Sequence, residues 1–182
     1  MTMHHCGTLT IDTPRLLLRR FEAGDLMDML GNWASDPAVQ TEYGEPVYST
    51  AQEAEGLLNR YIVGYSSDSF YRWAVIEKDS GRNIGQIAFC RVYEELRTAE
   101  IEYCIGTAFQ GRGYAGEALS AVIGNIFANT DFQRLEAYHR AENTKSGRVL
   151  EKSAMHITDN VERFRQQGIT PEGEVCYCIE RS

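Results

Sequence analysis

Apolar positions along this chain fall into short runs whose spacing switches between helical and alternating. Arg15–Phe21 is an apolar run with basic flanks and predicts a first strand. From about Asp25 to Ala34, Leu26, Met29, Leu30 and Trp33 recur at helical spacing, and Asp36-Pro37 breaks the pattern. Thr50-Ala-Gln-Glu53 has the form of a capping box, ahead of Leu57, Leu58, Tyr61 and Ile62 on one helical face. From Phe70 the period shortens. Phe70–Lys78 and Ile84–Tyr93, joined by the turn Asp79-Ser-Gly-Arg82, predict an antiparallel hairpin, and Arg97–Ile105 a third strand. A helix follows with the stripe Ala115, Leu119, Val122, Ile123 and Ile126, then a strand over Arg134–Arg140 and a helix over Asn143–Lys152. The tail from Met155 to Ile179 predicts two final strands around Gly168–Gly173. A strand–helix–strand passage inside this order requires one parallel pair in a mostly antiparallel sheet, which would splay where the pairing changes.

The junction between the third strand and its helix carries the candidate chemistry. Gln110-Gly111-Arg112-Gly113-Tyr114-Ala115 has no side chain at two positions, so backbone can approach a ligand closely. The helix that follows offers unpaired N–H groups and a positive dipole end, which suit a phosphate or pyrophosphate. Glu100 and Glu102, on the strand feeding this turn, share one face because side chains alternate. Two such carboxylates oppose each other's ionisation, which raises one pKa toward a value useful in a base. The plainer reading is that they pair with Arg91 or Arg97 on neighbouring strands.

Composition narrows the setting. The 182 residues, 43% hydrophobic and 24% charged, predict one globular domain spanning 1–182. No apolar stretch is long enough for a bilayer, so no membrane partner is expected, and Met1–Gly7 lacks the apolar core of a signal peptide. Five cysteines, an odd number without framework spacing, favour reduced thiols in a cytoplasm. The formal charge of −8 argues against a nucleic-acid partner and is compatible with a cationic amine or a basic protein, although solubility alone produces such a balance. No metal is expected: Cys176-Tyr-Cys178 lacks further ligands, and His4-His5-Cys6 offers only an adventitious contact. Cys104 has no neighbouring Cys-His pair and reads as core, and Tyr138 and His139 read as packed or surface positions.

The order of elements, the glycine turn, Asn143-Thr-Lys-Ser146-Gly-Arg-Val-Leu-Glu-Lys152 and the Pro14–Arg20 segment together resemble the GNAT superfamily of acetyl-CoA-dependent N-acetyltransferases, with most likeness to its ribosomal-protein N-terminal acetyltransferase branch. The resemblance implies an α+β fold: a mixed, mostly antiparallel sheet with a central splayed parallel pair, flanked by helices. It implies acetyl-CoA as co-substrate, with the backbone of Gln110, Gly111, Arg112, Gly113, Tyr114 and Ala115 on the pyrophosphate. The strand end at Tyr103, Cys104 and Ile105 would pair with the pantetheine arm. Asn143, which by itself reads as a helix N-cap, would also bond pantetheine, and Ser146 would lie beside the thiol as proton donor to the leaving thiolate. Glu100 matches the carboxylate taken as general base, whereas Glu102 stands where the family has glycine. Trp33 and Tyr43 fall in the region that forms the acceptor wall. The implied acceptor is a primary amine, either the N-terminus of a ribosomal or other protein or a small molecule, and homodimers are common in the family. Two other readings stay open: a non-catalytic acyl-CoA-binding or sensing domain on the same fold, and a nucleotide-binding domain with a Rossmann-like turn, against which the hairpin before the turn argues. Where the family commonly has Leu-Gly-Phe, this chain has Ser153-Ala-Met-His156, which leaves the path of residues 153–160 open.

Overall fold

The computed structural model describes residues 3–182, so the first two residues of the amino-terminal stretch read above lie outside it. The elements run β1 Ile11–Asp12, β2 Leu16–Arg19, α1 Leu26–Met29, α2 Pro37–Tyr43, α3 Ala51–Gly64, β3 Arg72–Glu77, β4 Arg82–Tyr93 and β5 Thr98–Ile105. They continue with α4 Tyr114–Asn129, β6 Arg134–Arg140, α5 Thr144–Glu151, β7 His156–Ile157, α6 Glu162–Gln167 and β8 Glu174–Glu180. The strands form one sheet in the order β1-β2-β3-β4-β5-β6-β8-β7. Every pairing is antiparallel except β5 with β6. The α+β architecture with a central parallel pair is therefore observed.

Alternation along each strand sorts the helices onto two faces. Ala99, Ile101 and Ile105 of β5, Leu135 and Ala137 of β6 and Tyr177 of β8 pack with the α4 stripe, which includes Leu119, Val122 and Ile126, and with Leu150 of α5. The opposite face buries Ala74 and Ile76 of β3 and Cys104 of β5 against Met29, Trp33, Val39, Leu57, Leu58 and Tyr61 from α1 to α3. Further along that same face, α6 seats Phe164 on Cys176 and Tyr138 in a small separate cluster. Between these two groups of helices, that face of β5 and β6 carries Glu100, Glu102 and Glu136 and forms the floor of the candidate cleft.

Two elements differ from the sequence reading, and one stretch that it left open is observed. Asp36-Pro37 starts α2 rather than merely breaking the helical pattern before it: the Asp36 side chain accepts the Ala38 N–H at 2.9 Å, and Pro37 occupies the first turn, where its missing N–H costs nothing. In the tail, the two strands are β7, only two residues long, and β8, and the segment between them contains α6 instead of a plain turn around Gly168–Gly173. Gly168, in the left-handed region, ends that helix. The path left open at 153–160 is set by Ser153, whose hydroxyl donates to the Leu150 carbonyl at 2.7 Å and accepts from Met155 N–H at 3.1 Å. This hydroxyl closes the end of α5 where a glycine was missing.

Candidate active site

The parallel pairing of β5 with β6 is short. It joins Thr98 to Arg134, Ala99 to Leu135 and Glu100 to Glu136, and stops there, although β5 continues to Ile105 and β6 to Arg140. Beyond Glu100 the two strands part. Gly106 N–H donates to the Ile84 carbonyl on β4, so antiparallel alternation turns the N–H groups of Tyr103 and Ile105 the other way, into the gap, while that of Cys104 faces β4. The Gln110 side-chain amide donates to the Ile105 carbonyl at 2.8 Å and closes the end of the gap.

The glycine turn lies at that end. Gly111 and Gly113 adopt φ of 76° and 83°, the left-handed region that favours glycine. The N–H groups of residues 111–116 meet no acceptor among the described residues, since α4 begins at Tyr114 without a side-chain cap. A row of free donors at the start of a 16-residue helix fits a diphosphate. The side chains of the turn do other work. Tyr114 is buried and donates to Glu77 at 2.6 Å, Arg112 donates to the Ala108 carbonyl at 3.2 Å, and Gln110 accepts from Lys145 at 2.9 Å. Across the gap, Asn143 caps α5 by accepting Ser146 N–H at 3.1 Å, and Tyr103 donates to the Ser146 carbonyl at 3.3 Å. Ser146 Oγ makes no hydrogen bond among the described residues. An open depression of about 300 Å³, lined by Thr41, Glu42, Arg140, Glu142 and Asn143, lies between α2 and the β6–α5 turn.

Glu100 and Glu102 both project from β5 into the cleft on the other face, in very different settings. Glu100 is 2% exposed, and its Oε2 is buried without a hydrogen bond. Cys90 Sγ lies 3.2 Å from its Oε1, Arg163 of α6 stands 3.6 Å away and Arg91 3.8 Å away. The β4–β5 register shifts between Phe89 and Arg91, so Cys90 is the extra residue of a bulge set against Glu100. Burial pushes the Glu100 carboxyl above the usual carboxylate range, against the opposing pull of Cys90, Arg163 and Arg91. The Glu102 charge contributes least, so the rise comes first from burial and not from two carboxylates repelling each other. Glu102 instead accepts Tyr43 OH at 2.6 Å and Arg72 Nη2 at 2.9 Å. Arg72 also donates to Gln86 and stacks 4.3 Å from the Tyr61 ring centroid.

Of the two residues expected in the acceptor wall, Tyr43 reaches the cleft. Trp33 does not line it: Trp33 is 0% exposed and its Nε1 donates to Asn83 at 2.6 Å, which makes it the packing behind the wall. Cys104 is buried on the α1–α3 side, where burial pushes its thiol up to about 12, and its N–H faces β4, so only its neighbours Tyr103 and Ile105 turn N–H groups into the gap. Cys178 Sγ approaches His156 Nε2 at 3.2 Å on the outer strands, away from the cleft floor. Arg72, Gln86, Cys90 and Arg163 escaped the sequence reading. Arg72 had a signal: it is in phase with Ala74 and Ile76, which are buried, and a charge in a buried phase needs a partner.

The chain is similar to known proteins over most of its length. The profile of the family described as "Acetyltransferase (GNAT) domain" matches residues 15–156. An uncharacterised N-acetyltransferase of Bacillus subtilis, YnaD, is 32% identical over 145 residues, which is 80% of this chain and 81% of that one. An acetyltransferase of the GNAT family from Bacillus anthracis superposes with a TM-score of 0.76 at 26% identity, covering 95% of this chain and 99% of its own. The ribosomal-protein-S5-alanine acetyltransferase of Vibrio fischeri has the same fold, with a TM-score of 0.78 at 14% identity over 96% of this chain and 97% of its own.

Proposed function

Since the chain belongs to the GNAT acetyltransferase family and is an N-acetyltransferase, we propose that it moves an acetyl group from acetyl-CoA to a primary amine by direct attack in a ternary complex. One observation carries this reading: β5 and β6 part immediately after Glu100, leaving backbone donors on one side of the opening and two carboxylates on the other. The free N–H groups of residues 111–116 would hold the pyrophosphate. The edge of β5 at Tyr103–Ile105, unpaired on its β6 side, would pair with pantetheine, and Asn143 and Ser146 would flank it from α5. The acetyl thioester would then reach the cleft floor between the glutamates. Holding both reactants in one cleft supplies proximity, worth up to ~7–11 kcal/mol of the barrier.

Each residue then has a task at a stated atom. The amine must lose its proton to attack the thioester carbonyl, and Glu100, whose carboxyl burial has raised, would take it through water or directly. Glu102, fixed by Tyr43 and Arg72, would shape the acceptor end of the floor. A β5 N–H in the gap would stabilise the oxyanion, and Ser146 Oγ would return a proton to the departing thiolate. The acceptor is proposed to be a protein N-terminus or a small amine, in a cytoplasm that keeps the five free cysteines reduced.

Release of free CoA thiol, followed over a panel of peptides, spermidine and an aminoglycoside, tests the proposal. Thiol release that depends on one amine class supports it. Binding of acetyl-CoA with no amine-dependent release would leave the chain an acyl-CoA-binding domain, and no binding at all would remove the donor assignment.

A further inference from the structure

Arg15 sits just before β2, remote in sequence from the glycine turn, yet its side chain reaches that turn. Its Nη1 donates to the Arg112 carbonyl at 2.8 Å, and its guanidinium lies 4.8 Å from the Tyr114 ring centroid. Its Nε donates to Glu117 Oε2 at 2.7 Å and its backbone N–H to Glu117 Oε1 at 2.9 Å, where Thr13 Oγ1 also donates at 2.6 Å. A side chain on Gly113 would come within 3.3 Å of Arg15 Nη2.

We propose that Arg15 is the positioning residue of the diphosphate turn: it orients the Arg112–Gly113 peptide and neutralises the Glu117 carboxylate in the first turn of the receiving helix. This rests on the reading of the turn as the CoA pyrophosphate site.

Peptide geometry and charge both favour this role. In a trans peptide the carbonyl and the following N–H point in opposite directions. Holding the Arg112 carbonyl toward β2 therefore aims the Gly113 N–H outward, to the ligand side. Left alone, the two glycines would let this peptide rotate at little cost, and the donors would have to be ordered on each binding event. Glu117 lies in the first turn of α4, where a carboxylate favours the helix but repels an incoming diphosphate. Burial would raise its pKa, yet hydrogen bonds from Thr13 and from Arg15 prevail and hold the carboxyl below its ordinary range. Glu117 is thus kept as an anion beside an anion site, and Arg15 is the cation paired with it.

Calorimetric titration with CoA, together with kcat and KM for acetyl-CoA, tests this. R15A should weaken CoA binding and raise KM by about tenfold or more while kcat at saturation stays within about twofold. R15K keeps the charge but cannot serve both Glu117 and the Arg112 carbonyl from one ammonium, so it should recover part of the loss. Adding E117Q to R15A removes the uncompensated carboxylate and should bind CoA more tightly than R15A alone. If R15A does not fold, R15K and E117Q carry the comparison, with R15K weaker than wild type in Kd and unchanged in kcat. A wild-type Kd in the arginine variants, or a fall in kcat equal to the rise in KM, overturns the inference. A wild-type chain that does not bind CoA overturns the functional reading, and this inference with it.

Discussion

Two glutamates two residues apart on one strand should respond to the same substitution in opposite ways. Glu100 is shut in beside a bulge, and burial raises its carboxyl. A carboxyl whose pKa is higher folded than unfolded adds stability below the ordinary carboxylate range and loses it as pH climbs through the raised value. E100Q removes that loss. It should raise Tm at neutral pH by about 2–4 °C, with the difference closing below about pH 4, while lowering kcat by about a hundredfold or more. With Glu100 as the proposed base, wild-type kcat/KM should fall as pH drops through its raised value, because a base must be ionised to act. Glu102 is the opposite case, since E102Q strips Arg72 of its carboxylate and should cost about 2 kcal/mol, lowering Tm by roughly 4–8 °C. Thermal melts of both variants across pH decide it, and equal signs would refute the distinction. The sequence showed the two carboxylates on one face but not this difference. Tyr43, Arg72 and Arg163, which create it, come from α2, β3 and α6 and meet only in the fold.

At the scale of elements, what was legible followed from local periodicity and caps. Thr50 and Glu53 form the expected capping box, and the β3–β4 hairpin follows the alternation that predicted it. What was missed is where one residue has two opposite local meanings. Pro37 reads as a breaker after α1 but is a favourable first residue for α2, and only Asp36 tells them apart. Likewise α6 is six residues with a single buried position, Phe164, too little for a helical stripe. Asp36 also ties α2 to the turn after β5, accepting Thr107 Oγ1 at 2.6 Å. That bond comes first among the effects holding its carboxyl below the ordinary range, so its contribution is present at neutral pH and lost as pH falls through the lowered value. D36A should therefore destabilise by about 1 kcal/mol, or roughly 2–4 °C in Tm, with the gap to wild type narrowing in acid. D36N keeps a capping oxygen and should lose less. Denaturant melts at pH 7 and pH 3 check both, and a D36A gap that persists undiminished at pH 3 would remove the carboxylate from the account.

For the whole molecule, the sheet is held across its middle by only three register pairs between β5 and β6, with α4 and α5 on one face beside the opening. A ligand lying in that opening would contact the α4 turn, the β5 edge and the head of α5 together, an arrangement that exists only in the folded chain. Binding therefore adds to stability by mass action, about 2.7 kcal/mol at a hundred times Kd. In a chain of this length that corresponds to a rise in Tm of roughly 5–10 °C with acetyl-CoA. The formal charge of −8 opposes any polyanion at long range, so the rise cannot come from general electrostatics and must come from the local donors and from Arg15, Arg112 and Lys145 around the turn. Thermal scans with acetyl-CoA and with ATP at matched concentration separate these contributions. A rise with acetyl-CoA well above that with ATP is expected, because only the former carries the arm proposed to pair with β5. An equal rise with both would assign the stabilisation to phosphate at the turn alone, and the parting of β5 from β6 would then have no part in binding.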